Sequence, residues 1–278
     1  MQIVGISLVR NEDRFVRQAL LNVAEVCDRI VVADHLSTDR TPAILEELSK
    51  RLDNLEVVRI SHSAESHALV EDLAGTETWV LSVDGDELYD PGGLLHFRDD
   101  LERGVHADVF RVRPAALHCD ELDDTHARAS GYLSPPSRPL LGLFNFAAID
   151  EWSGVRSERL HGGDIRFRRG YDLDRWRHLG SDPGWDASPF RALHACFLSR
   201  SSGEGEPPPE GRANLAESGA FRRGPVGMLE RAVRRMSGRS LGTGRRGARW
   251  KAEKYRRGER LTVDVSSFLT RAHLDEPC

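Results

Sequence analysis

The chain has 278 residues, 39% of them apolar and 30% charged, with a net charge of −5. That is enough to bury one large core, or one core and a smaller appendage, and no apolar run reaches the length of a membrane span. The four cysteines, Cys27, Cys119, Cys196 and Cys278, show neither paired spacing nor disulfide density, which points to a reduced cytosolic compartment without a zinc site.

Ile3 to Val9 is a near-continuous apolar run, as expected of a strand covered on both faces. It starts almost at once, without a basic region followed by a signal-like stretch. Phe15, Ala19, Val23 and Val26 then recur at helical spacing, with Asn11 or Asp13 available as the cap. Arg29–Ala33 is a second strand. Thr41-Pro42 opens a second helix with Ile44, Leu45, Leu48 and Leu52 as its buried stripe. Leu55–Ile60 is a third strand, Ser63–Ala74 a weaker helix, and Trp79–Val83 a fourth strand. Three βα units followed by a strand predict a parallel, right-handed α/β sheet.

Beyond Asp90 the regularity decays. Pro91–Leu101 reads as a helix, Ala107–Val112 and Leu140–Phe146 as strands, and the stretch from there through Trp185 as polar loops. Ser199–Pro209, rich in Gly, Ser, Glu and Pro, reads as a linker. From Arg222 to Arg260 there are 14 Arg or Lys against three acids, a balance of +11 that leaves −16 for the rest of the chain. Such a segment is either a solvated helical face or one that seeks phosphate, an anionic membrane or nucleic acid. Helices are expected near Gly227–Met236 and Ala248–Arg257. The organisation predicted is one half-domain over 1–90, a second half over 91–200, and a linker with a basic helical segment over 201–278.

Each early strand ends in polar residues. Val9-Arg10-Asn11-Glu12 follows the first, Asp34-His35-Leu36-Ser37-Thr38-Asp39-Arg40-Thr41 the second, and Asp84-Gly85-Asp86-Glu87 the fourth. Strand C-termini are where open α/β sheets bind ligands, and clustered carboxylates suit Mg²⁺ or Mn²⁺.

These three runs, in order within 87 residues, resemble glycosyltransferase family 2, nucleotide-sugar-dependent enzymes of the GT-A fold. The resemblance implies a mostly parallel sheet flanked by helices, with the basic helical segment appended. It also implies a divalent metal and the transfer of a sugar, UDP-linked by family frequency, to an acceptor hydroxyl with inversion. Val9, Asn11, Glu12, Asp34, Ser37, Asp39, Asp84, Gly85 and Arg200 are then the donor-binding candidates. Asp84, Asp86, Glu87 and His194 are the metal candidates. A carboxylate such as Asp34 can accept the imide N–H of a uracil, and an acid closing a buried strand has no evident structural task. Ser37 and Thr38 read in the first place as turn and cap residues, and Asp39 also as a helix starter. Gly85 would keep the turn small enough for a diphosphate. His194 resembles the late histidine of many members, and it also reads as a core histidine.

An inverting transfer needs a general base, for which Glu158, Glu151 and Asp150 are the candidates, with Glu158 preferred and Trp152 a candidate for sugar stacking. One departure stands out. Where many relatives carry an Arg on the third helix that meets the phosphates, this chain has Glu65. A nucleotidyltransferase is the rival, though Arg10–Asp13 lacks a glycine-rich phosphate loop, and a non-catalytic sugar-nucleotide-binding protein is another. Expected partners are the donor and a glycan, lipid-linked or small-molecule acceptor. Trp250 and Tyr255 are too few aromatics for a nucleic-acid platform, whereas peripheral membrane contact through the basic segment suits a cytoplasmic enzyme at the inner membrane surface.

Overall fold

A computed structural model describes residues 1–153, 160, 163–203 and 252–269. The expected βα alternation is present: β1 (Gln2–Val9), α1 (Val16–Ala24), β2 (Arg29–Asp34), α2 (Thr41–Arg51), β3 (Leu55–Arg59) and β4 (Thr78–Ser82). The helix expected over 63–74 is two short pieces, α3 (Glu65–Ala68) and a 3₁₀ turn at Glu71–Leu73. Ser66 explains part of this, because its hydroxyl bonds the Ser63 carbonyl and competes with helical pairing.

The helix starts differ from the expected caps. Neither Asn11 nor Asp13 caps α1, and the hydroxyl of Thr41 accepts from the Glu12 N–H instead of capping α2. These side chains are spent between loops, so the strand ends are tied to each other rather than to their own helices.

After β4 come β5 (Glu87–Tyr89), α4 (Pro91–Glu102), β6 (Arg111–Arg113), β7 (Ala115–Asp123), β8 (Arg128–Ser134) and β9 (Leu143–Asn145). They are followed by β10 (Ile149–Ser153), β11 (Asp164–Phe167), β12 (Trp176–His178), β13 (Arg191–His194), β14 (Arg260–Asp264) and α5 (Ser266–Leu269). The α4 boundaries match expectation, because Asp90 accepts from the Gly93 N–H and Pro91 opens the first turn. The 107–112 strand shrinks to β6. The polar region through Trp185 holds β10, β11 and β12, short strands of mixed polarity; β10 and β11 pair with each other, and β12 pairs with the distant β6.

Among the described residues the main sheet runs β12-β6-β9-β4-β1-β2-β3, parallel throughout β4-β1-β2-β3 and interrupted by antiparallel β9. Helices flank it, as expected of a mostly parallel α/β sheet. Its central strands are buried on both faces, which accounts for their unbroken apolar composition. A second sheet, β14-β8-β7-β13-β5, starts at the turn beyond β4. β13 pairs antiparallel with β5, His194 opposite Glu87, and parallel with β7, His194 opposite His118. This pairing carries residues near 190–200 to the end of β4.

Of the basic stretch, residues 252–255 are helical; the helix expected near 227–236, Glu158 and Cys278 lie outside the described residues. No helix among the described residues is long and apolar enough to cross a membrane.

Candidate functional site

Hydrogen bonds join the loops after β1 and β2 into one unit. Asn11 donates its backbone N–H to Ser37 Oγ at 3.0 Å, and its side-chain oxygen accepts the Thr38 N–H at 2.7 Å. Asn11 and Leu36 both have left-handed backbones, φ 55° and 54°, a conformation that asparagine tolerates and that is costly for leucine. Asp34, buried at the end of β2, accepts the Ser37 N–H at 3.0 Å. It therefore has the structural task that the sequence did not reveal. Asp39 accepts from the Thr41 N–H and from Ser201 Oγ at 2.6 Å. Burial pushes the Asp39 carboxyl up, but the hydrogen bonds from Ser201 and Thr41 outweigh it and hold the group below the usual carboxylate range.

The loop after β4 joins this unit through Arg200. One guanidinium nitrogen lies 3.0 Å from Glu12 Oε1 and 3.0 Å from Asp86 Oδ2. Both acids are nearly inaccessible, and Arg200 is 14% exposed. Adjacent backbone anchors the segment: Arg14 N–H bonds the Arg200 carbonyl, and Ser202 bonds Asp13. Arg200 was expected as a phosphate contact; here its guanidinium holds two carboxylates together.

Gly85 sits against the same pair. A Cβ added there would lie 2.1 Å from Glu12 Oε2, 3.2 Å from Glu12 Cβ and 3.1 Å from Val9 Cγ1. The missing side chain makes room for Glu12, a reason different from the expected approach of a diphosphate. Val9 itself is fully buried and gives its carbonyl to the His35 N–H.

Asp84 is half-buried and its carbonyl closes the turn by accepting the Glu87 N–H. Glu87 is buried, and its carboxylate is reached by the Tyr89 hydroxyl at 3.3 Å. Burial, then the charges of Asp86 and Glu12, push its carboxyl well above the ordinary value. His194 ends β13, with Nε2 3.8 Å from Asp86 Oδ2, and the Ala195 N–H bonds the Asp86 carbonyl.

The donor chemistry fits a divalent cation. Carboxylate oxygens of Asp84 and Asp86 suit Mg²⁺ or Mn²⁺, and an imidazole nitrogen is acceptable to Mn²⁺. The 3.8 Å between His194 Nε2 and Asp86 Oδ2 lies within the roughly 4 Å spanned by two ligand atoms of one ion with bonds of about 2.1 Å. Glu87 is less available, because its buried carboxylate already accepts from the Tyr89 hydroxyl.

Other expected residues lie apart. Asp150 and Glu151 are on β10, where Asp150 pairs with Arg168, just past β11, at 3.2 Å and Glu151 with Arg166 of β11 at 3.5 Å. Trp152 is 3% exposed, packed among Phe110, Phe144 and Phe146, so its indole serves the core rather than a sugar face. Glu65 accepts from Ser61 Oγ at 2.7 Å.

Sequence reasoning missed His118 and Tyr255. His118 lies beside His194, Nδ1 to Nδ1 2.9 Å, and Tyr255 packs edge-on against both rings. No apolar–polar alternation marks 115–123, and residues 115–119 are buried without a break, so only the pairing of β7 with β13 sets His118 against His194.

With that geometry in view, the family model described as glycosyl transferase family 2 matches residues 6–145. The chain belongs to glycosyl transferase family 2. The matched span runs from β1 through β9 and includes all three strand-end motifs. Among solved structures, the crystal structure of S. aureus TarS is similar over 53% of this chain, with 19% identity and a TM-score of 0.38. That likeness covers 29% of the TarS chain. Among curated proteins, none matches.

Proposed function

We propose that this family 2 protein is a metal-dependent glycosyltransferase that moves a sugar from a nucleotide-diphosphate donor, UDP-linked by preference, to an acceptor hydroxyl with inversion. One observation carries the reading: the three loops at the C-terminal ends of β1, β2 and β4 form one hydrogen-bonded unit, closed by Glu12, Asp86 and Arg200. That edge of a parallel sheet is where a nucleotide is received.

In this reading Asp34, Asn11 and the Ser37–Asp39 turn receive base and ribose, beside Val9 and Glu12. Asp84, Asp86 and His194 would hold the cation, which when bound neutralises the leaving diphosphate. Arg200 holds Asp86 and Glu12 in place, and its guanidinium would offer an N–H to a phosphate oxygen. We assign the base to Glu158, because Asp150 and Glu151 are each engaged by an arginine, Arg168 and Arg166. The acceptor and a membrane contact through the basic segment belong to the same proposal.

Thermal shift with UDP, GDP, TDP and CDP, each with and without Mn²⁺, tests it. One diphosphate should stabilise the protein in a metal-dependent way, and Asp86→Ala should abolish that gain. If no nucleotide stabilises the wild type, the reading fails. Preference for triphosphates would point to nucleotidyl transfer.

A further inference from the structure

We propose that His118 is a positioning residue that fixes the tautomer of His194 and leaves the His194 Nε2 lone pair for the cation that Asp86 would share. The proposal rests on the reading of His194 as a ligand of the donor-site cation.

The argument follows the protons. His118 Nε2 lies 2.8 Å from the Arg138 carbonyl oxygen, which can only accept, so Nε2 carries the hydrogen. In the neutral ring His118 Nδ1 is then an acceptor. Its partner at 2.9 Å, His194 Nδ1, must therefore donate. A neutral His194 with its proton on Nδ1 has its lone pair on Nε2, the atom 3.8 Å from Asp86 Oδ2. Metal-binding imidazoles are oriented in this way by an acceptor on the second nitrogen.

The surroundings hold the arrangement. His118 and His194 sit opposite each other in the β7–β13 register, both buried. Their rings meet at 71°, and Tyr255 packs at 81° to His118 and 67° to His194. A flip of the His118 ring would break its bonds to both His194 and the Arg138 carbonyl.

Cys196 lies nearby, and one ligand atom each from His118, His194 and Cys196 falls within 4.8 Å. A closed metal site of these three is the competing arrangement. The 2.9 Å between the Nδ1 atoms is a hydrogen-bond length, shorter than the roughly 3.3 Å between two imidazole nitrogens on one tetrahedral zinc.

The test uses the full chain. Nitrogen–proton correlation NMR reads the His194 tautomer in wild type, His118→Asn and His118→Phe. Asn keeps an acceptor oxygen near the place of Nδ1, and Phe removes it. We expect the Nδ1–H tautomer in wild type and His118→Asn, and its loss in His118→Phe. Mn²⁺ binding followed by electron paramagnetic resonance should stay within about threefold of wild type for Asn and weaken about 10- to 100-fold for Phe. An Nε2–H tautomer or an imidazolium in wild-type His194 at neutral pH overturns the proposal, and this arm requires no variant to fold. So does a His118→Phe protein with unchanged tautomer and Mn²⁺ affinity. Stoichiometric zinc in the purified protein, lost in Cys196→Ser, overturns it in favour of the three-residue site. A wild type that binds no Mn²⁺ refutes the cation reading instead, and the tautomer comparison still decides what His118 does.

Discussion

Gly85→Ala should destabilise the protein through Glu12, and the size of the effect follows from what holds that side chain. The new methyl would overlap Glu12 Oε2 at 2.1 Å and press on Glu12 Cβ and Val9 Cγ1 at 3.2 and 3.1 Å. The carboxylate tip could swing away cheaply if it were loose. It is not loose, because Oε1 lies 3.0 Å from Arg200 Nη1, which also holds Asp86. Val9 cannot retreat either, since it is fully buried in a central strand. Overpacking of this kind costs about 1–3 kcal/mol. For a chain of this size that is roughly 2–10 °C in melting temperature. The assay is urea unfolding of Gly85→Ala, Glu12→Ala and the double variant. Removing the Glu12 carboxylate takes away the worst overlap, so the Gly85→Ala penalty should shrink by about 1 kcal/mol in the Glu12→Ala background. A Gly85→Ala protein as stable as wild type, or two strictly additive substitutions, would refute the contact argument.

Arg200→Met leaves Glu12 and Asp86 without a shared guanidinium and should cost about 3 kcal/mol in urea unfolding without metal, against no change if the pair were merely a surface contact. In α4, Gly93→Ala should be clearly destabilising because its Cβ would meet the Pro189 carbonyl oxygen at 2.4 Å, while Gly92→Ala, with nothing nearer than 3.7 Å, should gain about 0.5–1 kcal/mol; equal melting temperatures would contradict both. Burial and then the Arg113 charge push His178 down to about 4 from an ordinary 6.5. A folded pKa below the unfolded one means the stability is whole above about pH 6.5 and declines as pH falls toward 4. The urea midpoint of His178→Gln should fall less over that window, and identical slopes would exclude this linkage.

The β1–β4 core was legible because β1, β2 and β4 are buried on both faces, so composition alone marked them. The strand-end motifs were legible for a related reason: polar residues that close an apolar strand fall at one edge of a parallel sheet. β7, β8 and β10–β12 were not, since strands of mixed polarity are defined by their partners rather than by local pattern. Trp152 shows the same limit from the other side. Its sequence neighbours are Glu151 and Ser153, yet three phenylalanines from other segments bury it.

The sequence by itself determined the βα order, the parallel core and the three polar loops, because each depends on residues within one element or on one turn after it. Only the tertiary structure decided who shares the carboxylates. Arg200 reaches Glu12 across 188 positions, and His118 reaches His194 across 76. Strand register makes both contacts: β13 lies between β5 and β7, so His194 is set beside Glu87 on one side and His118 on the other. The same holds for Gly85, whose need for a bare α-carbon comes from Glu12, 73 residues earlier in the chain and inside the space a methyl would take.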